Sequence, residues 1–525
     1  MLTFAIFRKI TAILLVFAGV LLSQLCAEDV NVMEFGAIAS GETNTTLQLQ
    51  EAIDRCHDTG GGQVIVPAGK YLTGSLFLKS NVDLHLKQNA IILASTNNPE
   101  DFSGAVIILK SVENVTISGN GMINGQGWHA NFNNRGREIK VARPEMILVE
   151  DSKHIRITGI KLRDQPRWGI RLKRSEWITI DNINIYSHVN TNNDGIDIDS
   201  SNVVITNSII DCEDDAICFK SWNKGYVVEN VTISNCRIAS SCNVIKFGTW
   251  SAVGFRNITI TNCVITAPDK DHVARPWYER LNGITHQPTG ISGLALEVVD
   301  GGFMDQVTIS NITMRGIQTP IFIRLGNRDG IGSLRNVIIS NIIAENESWI
   351  TSSITGIKDA FVENVMIRDV IFNSKGTATE EHTNKNVIEN DEGYPENRMY
   401  GDHLPAHGFY VRHARGIHFE NMKLLLRNPD SRPAILFDNV YDSSLKNIQA
   451  DLPEGDMPLF RMVGCSNIRF SDFRYIEPIE TLLSVEGEES RRIVIENCDL
   501  FEVENPFVAF DGANPSEVKL VNNFK

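Results

Sequence analysis

The chain has 525 residues and a formal net charge of −15, from 64 Asp and Glu against 49 Lys and Arg. That balance argues against a nucleic-acid binder, which needs a basic footprint. It also opposes an anionic polysaccharide partner unless basic groups gather locally. The longest apolar run, Ile10–Leu22, is short for a membrane span of about 20 residues, and no other segment is suited to crossing a membrane.

In chain order, Arg8 and Lys9 precede that run, and Leu25-Cys26-Ala27 offers a small-residue cleavage site. Residues 1–27 therefore read as a secretory signal, which predicts a secreted or periplasmic protein. Ser23-Gln24-Leu25 makes a poor lipobox ahead of Cys26. The remaining cysteines, at 56, 212, 218, 236, 242, 263, 465 and 498, are scattered, and no spacing resembles a zinc site. Cys236 and Cys263 share one repeat position and either pair or stack.

Residues 28–95 are expected to form an N-terminal cap and the first strands. Thr45-Thr46-Leu47-Gln48 suggests a capping box, and Leu47, Leu49, Ala52, Ile53 and Cys56 fall at helical spacing. This helix is expected to cover an open strand edge that would otherwise invite aggregation. Strands are expected around Gln63–Val66, Leu76–Leu78 and Val82–Leu86.

From residue 96 to 525 a repeat dominates: a short alternating strand that often ends in Asn, such as NVTISGN from Asn114, NVTISNC from Asn230 and NVIISNI from Asn336. Most steps between starts are 23 to 30 residues, with exceptions of 40, 49 and 52 that imply insertions. The strands are β-branched with period two and no helical pattern intervenes. The pattern predicts an all-β, single-domain, right-handed parallel β-helix. Asn182, Asn207, Asn235, Asn262, Asn311 and Asn341 occupy equivalent places, and an internal ladder satisfying buried backbone groups is expected there. Residues 124–144, 264–292 and 372–408 read as long loops, which on a solenoid emerge on the binding face.

Two segments carry the chemistry, Asn192-Asn193-Asp194-Gly195-Ile196-Asp197-Ile198 and Glu213-Asp214-Asp215-Ala216-Ile217-Cys218-Phe219-Lys220. Aligning Ile196 with Ile217 places Trp168, Asp194, Asp215 and Asn243 in one column, and Arg167, Asn193, Asp214 and Cys242 in the next. Stacked turns sit about 4.8 Å apart. Asp194, Asp214 and Asp215 are therefore expected on one patch, where crowded carboxylates raise each other's pKa.

These paired motifs resemble glycoside hydrolase family 28, the polygalacturonase and rhamnogalacturonase group. Phe35-Gly36-Ala37 and Val66-Pro67-Ala68-Gly69-Lys70-Tyr71 resemble it too. The similarity runs from about residue 31 to 345 and more weakly beyond. The resemblance implies inverting hydrolysis, with Asp214 as general acid and Asp194 and Asp215 holding and deprotonating the water. It implies no cofactor and no metal. Asn192 and Lys220 match the family motif as substrate-binding residues; Asn243, Lys246 and Arg324 are expected to bind substrate where family groups are missing, with Arg412 and His413 near the cleft and His272, His286 and His403 in loops. Trp168 is either a sugar platform or core packing.

Two departures stand out. The family's Gly-His-Gly is Cys242-Asn243-Val244 here, and its Arg-x-Lys is Ala295-Leu296-Glu297. The second puts an acid where a base grips galacturonate. The expected function is thus an exported, monomeric, metal-independent hydrolase of pectic polysaccharide or oligosaccharide, exo-acting because long loops flank the acidic turns. The alternatives are a relative acting on a non-galacturonate glycan, a calcium-dependent pectate lyase, and a non-catalytic glycan-binding β-helix.

Overall fold

The computed structural model describes residues 29–96, 99–132, 142–223, 225–269, 289–474, 478–503 and 507–524. The expected export signal, residues 1–27, lies outside them. Almost every strand pairs in parallel with the strand one turn before and one turn after. The stack is a parallel β-helix, and its inside is filled by columns of aliphatic side chains. One column runs Ile147, Ile170, Ile196, Ile217, Ile245, Leu294 and Ile321, each the direct register partner of the last. All seven are fully buried. Repeated β-branched residues at period two build this column, because every inward position meets its equivalents about 4.8 Å above and below.

The first turns are closed by the helix Thr46–Asp58, which buries Leu49, Ala52, Ile53 and Cys56 against the main core. Two details differ from expectation. Leu47 is 80% exposed. It sits about 200° around the helix from Leu49, on the solvent side. Thr45 does not cap a helix N–H; its hydroxyl donates to Gln48 Oε1 at 3.4 Å and accepts from the Ile38 N–H at 3.3 Å. Among the described residues no helix is long and apolar enough to cross a membrane.

The asparagine ladder exists but lies outside the solenoid. Asn182, Asn207, Asn235, Asn262, Asn311 and Asn341 all adopt left-handed backbone, with φ between +52° and +56°. Their side chains are exposed, and the amides form rungs, Asn311 to Asn262 at 3.1 Å and Asn341 to Asn311 at 3.0 Å. The selective reason is therefore the corner conformation, which Asn tolerates better than other non-glycine residues, and not the satisfaction of buried groups. A second exposed ladder joins Asn202, Asn230 and Asn257 at 2.9 and 2.8 Å. Cys236 and Cys263 are free thiols bonded to the carbonyls of Ser234 and Thr261, so they stack without pairing.

The loop joining the strand Val362–Ser374 to the strand Phe409–Leu426 folds down onto the outer face of the solenoid. It has its own small apolar core, in which Val387, Tyr400 and Leu404 meet Ala295, Phe322 and Tyr410 of the sheet. Guanidinium groups tie it down. Arg324 donates to the Asn390 carbonyl at 2.8 Å, Arg412 to the Val387 carbonyl at 2.6 Å, and Arg432 to the Leu404 carbonyl at 3.0 Å. On the other side, Asn190 holds the carbonyls of Gly127 and Phe132 at 3.0 and 2.7 Å. Residues 133–141 of the first expected loop and 270–288 of the second lie outside the described residues.

The corner conformation makes a direct prediction. Asn262→Val forces a β-branched residue to φ +55°, and should destabilise by about 1–3 kcal/mol. Asn262→Gly should cost far less, since glycine takes positive φ freely. Thermal unfolding of both variants checks this; equal losses would show that the rungs, not the backbone, are what matter.

Candidate active site

Asp194 and Asp215 stand two residues ahead of Ile196 and Ile217, which open the strands Ile196–Thr206 and Ile217–Ser221. Backbone bonds continue the ladder through these turn residues, from the Gly169 N–H to the Asp194 carbonyl, Gly195 to Asp215 and Ala216 to Asn243, at 2.8 to 3.1 Å. Trp168, Asp194, Asp215 and Asn243 therefore form the expected column. Gly195 is required by close approach, because a Cβ there would lie 2.4 Å from the Ala216 carbonyl oxygen.

The three aspartates are 4%, 6% and 4% exposed at positions 194, 214 and 215. Oxygens of Asp194 and Asp215 come within 4.8 Å of each other, and so do those of Asp214 and Asp215. Asp214 accepts from the Asn192 N–H at 3.2 Å and the Asp215 N–H at 3.1 Å, and its own N–H donates to Asn193 Oδ1 at 3.1 Å. Asp215 accepts from the Asn243 side chain at 2.9 Å and forms an ion pair with the Lys246 ammonium at 3.3 Å. Lys220 lies 3.7 Å from Asp194 and 3.5 Å from Asp197.

This arrangement splits the acids electrostatically. Burial, followed by repulsion from Asp197 and Asp214, pushes Asp194 well above the ordinary carboxylate range, with only partial relief from Lys220. Burial also works against Asp215, but Lys246, Lys220 and the Asn243 hydrogen bond outweigh it and hold Asp215 down at about 2. Asp197, whose oxygens accept no hydrogen bond, is pushed up to about 6 by burial against the pull of Lys220. Lys246 stays charged despite its own burial because Asp215 faces it. The cluster thus combines a neutral carboxyl with a firmly ionised one, the pairing that acid–base chemistry requires.

Metal binding fits these residues poorly. Asp194, Asp215 and Cys218 each offer a ligand atom to one spot, as do Asp214, Asp215 and Cys242. Yet Lys220 and Lys246 already place ammonium groups against those carboxylates. The Cys218 thiol is pushed well above its ordinary value by burial, and so does not present a thiolate.

Of the sequence-derived binding residues, Asn192, Lys220, Asn243 and Lys246 gather at the cluster. Lys246 is 1% exposed and roofed by Tyr394, whose hydroxyl is 3.4 Å from the ammonium. Arg324 is bound to the carbonyls of Gly356 and Asn390 beneath the loop. Arg412 and His413 engage Glu389, and His403 engages Asp402. His272 and His286 lie outside the described residues. Trp168 is 8% exposed, with the Arg167 guanidinium 4.4 Å over its ring and Trp250 edge-on at 6.0 Å. Trp222 then stacks on Trp250 at 4.6 Å.

Several site residues escaped the sequence reading. Asp197 was inside the motif, and its outward period-two position was the available signal. Arg143 donates to the Pro166 carbonyl at 2.9 Å and to Asn192 Oδ1 at 3.1 Å. Tyr394 is 148 residues from Lys246 in the chain, and only the folded loop brings it there.

Glu297, where a base was expected, is fully buried and neither oxygen has a hydrogen-bond partner. Burial pushes it up to about 8, with Lys246 pulling the other way. Its unfolded value is about 4.3. Between those values the folded state keeps a proton that the unfolded state has released, so stability falls as pH rises. Glu297→Gln cannot ionise and should lose less stability than wild type between pH 5 and pH 8. Unfolding midpoints at the two pH values check this, and equal slopes would contradict it.

Comparisons with known proteins point to one family. The family model for glycosyl hydrolases family 28 matches residues 56–238. A probable polygalacturonase of Vitis vinifera is 32% identical over 225 residues, covering 38% of this chain and 45% of that protein. An exo-poly-alpha-D-galacturonosidase of Dickeya chrysanthemi is 25% identical over 308 residues, covering 46% and 50%. The chain spans about half the length of the curated relatives it matches. The solved family 28 exopolygalacturonase of Yersinia enterocolitica superposes with a TM-score of 0.58 at 19% identity, over 82% of this chain and 79% of that one. That likeness makes the solenoid a right-handed parallel β-helix. The stretch 56–238, which the model for glycosyl hydrolases family 28 matches, holds all the aspartates of the cluster.

Proposed function

We propose that the protein is a glycoside hydrolase that cleaves pectic glycans from a chain end. The observation that carries this reading is the pairing of a neutral with an ionised carboxyl among three buried aspartates on adjacent turns. In it, Asp214 protonates the departing glycosidic oxygen. Asp194 and Asp215 hold a water, and ionised Asp215 removes its proton as the oxygen attacks the anomeric carbon. Asn243 and Lys246 keep Asp215 charged for that task.

The proton needs an account. In the empty site burial favours the neutral form of Asp194, while Asp214 accepts two backbone N–H bonds. Asp214 lies close enough to repel Asp194, and the reading has it deliver the cluster's proton to the leaving oxygen once sugar is bound. The reading also has to meet a short spacing. Oxygens of Asp214 and Asp215 lie within 4.8 Å, tighter than the ~6.5–9.5 Å between carboxyl groups usual for inversion. Inversion is nevertheless the expected outcome, because Lys246 and Asn243 occupy Asp215 and leave it a base more than a nucleophile.

Exo-action is supported by the loops. The 375–408 segment is clamped over one end of the acidic turns by an apolar core and three guanidiniums. The 126–132 segment and Arg143 pack at the other. A calcium-dependent lyase is disfavoured, since Lys220 and Lys246 already neutralise the acids. The reading places the protein outside the cytoplasm, acting as a monomer on plant-wall polymer.

Asp214→Asn should lower turnover by about 10²–10⁴-fold with substrate affinity and thermal midpoint little changed. Wild-type-like turnover would refute the assignment. Proton NMR of freshly released sugar should show the anomer opposite to the substrate linkage; a retained anomer would make Asp215 or Asp194 a nucleophile. A single small sugar should appear from the first time point, whereas an early ladder of oligomers would rule out the pocket.

A further inference from the structure

Cations are distributed unevenly around the aspartates, and this bears on which sugar lies where. On the side of later turns every described base near the cleft is already engaged. Lys246 faces Asp215 at 3.3 Å, Arg328 faces Asp300 at 2.7 Å, and Arg412 faces Asp438 at 3.2 Å. Arg324 is consumed by the Gly356 and Asn390 carbonyls. The outward positions there are Ala295 and Glu297, and Glu297 is buried without a partner. Among the described residues, no base on that side is left unengaged.

The side of earlier turns is the reverse. Arg167 makes no hydrogen bond or ion pair with any other described residue, and its guanidinium sits over Trp168, 4.4 Å from the ring centre. It is partly exposed, while Trp168 beneath it is buried. The half-buried Arg143 adds positive field close by, and so does Lys220, 6.0 Å from the same ring. Trp168 is one turn from Asp194 in the site column. One turn is about 4.8 Å, roughly the length of one sugar ring. A sugar next to the scissile bond on that side therefore rests at Trp168, with a free guanidinium at its edge.

We propose that Arg167 recognises the carboxylate of a uronate on the Trp168 side of the scissile bond. This rests on the hydrolase reading above and adds a specificity-determining residue to it. A guanidinium fixed over an aromatic face suits the task. It keeps its in-plane N–H donors free for a bidentate carboxylate while the ring fixes its plane.

The test is a cycle between Arg167→Gln and esterification of the uronate. In wild type, methyl esterification of that uronate should lower kcat/KM about 10–100-fold, mainly through KM, the scale of one charged hydrogen bond. In Arg167→Gln the free acid should already be that slow, and esterification should cost little more. Equal ester penalties in both proteins, or a wild-type rate for Arg167→Gln on the free acid, would overturn the assignment. Calorimetric binding of the same sugars to Asp214→Asn separates this from failure of the hydrolase reading. A free-acid preference that Arg167→Gln abolishes supports the carboxylate site even without turnover, and no preference overturns it.

Discussion

Everything in this molecule depends on strict parallel register between successive turns. Once Ile170, Ile196, Ile217 and Ile245 are stacked inside, the residues two positions ahead of them are stacked as well. Asp194 and Asp215 are then held together by the backbone ladder, at a spacing their own charges resist. The aliphatic columns offset that cost, at about 25 cal/mol for each Å² of apolar surface removed from water. Lys220 and Lys246 reduce it further. A site of this kind cannot relax by small side-chain motion, because the repulsion is built into the main chain.

The same geometry explains how specificity is tuned without changing the fold. Outward positions on the strands are free of the core, so a base can become Ala295 or Glu297 while Leu294 and Leu296 keep packing inside. Loops between strands are free of register altogether. The 375–408 loop uses this freedom to build a second apolar core on the outer face and to set Tyr394 over Lys246. Tyr394 is 53% exposed, and its ring faces both Lys246 and Arg328, at 5.3 and 6.0 Å. The aspartates therefore belong to the solenoid, and the shape of the surface around them belongs to the loops.

What could be read from the sequence follows the same division. The solenoid and the column Trp168–Asp194–Asp215–Asn243 were legible because period-two patterning and an Ile-x-Ile register are local features. The asparagine ladder was legible as a column, but its side was misread. Satisfying a buried backbone group and tolerating a left-handed corner select the same residue type, and only coordinates tell them apart. Leu47 was misplaced because apolar spacing in a short amphipathic helix does not reveal which apolar residue falls outside the stripe. Tyr394, Arg143 and the tethering roles of Arg324 and Arg412 were illegible for a different reason. Each depends on a contact across a long loop, where no periodicity links the partners.

The central claim is that the aspartate cluster activates water and does not eliminate across the sugar ring. Cleavage of a pectic oligosaccharide in ¹⁸O-labelled water, followed by mass analysis of the fragments, tests this most directly. The account predicts one labelled oxygen at each newly formed reducing end and fragment masses that sum to substrate plus one water. Unlabelled fragments lacking that water and carrying a new carbon–carbon double bond would contradict it.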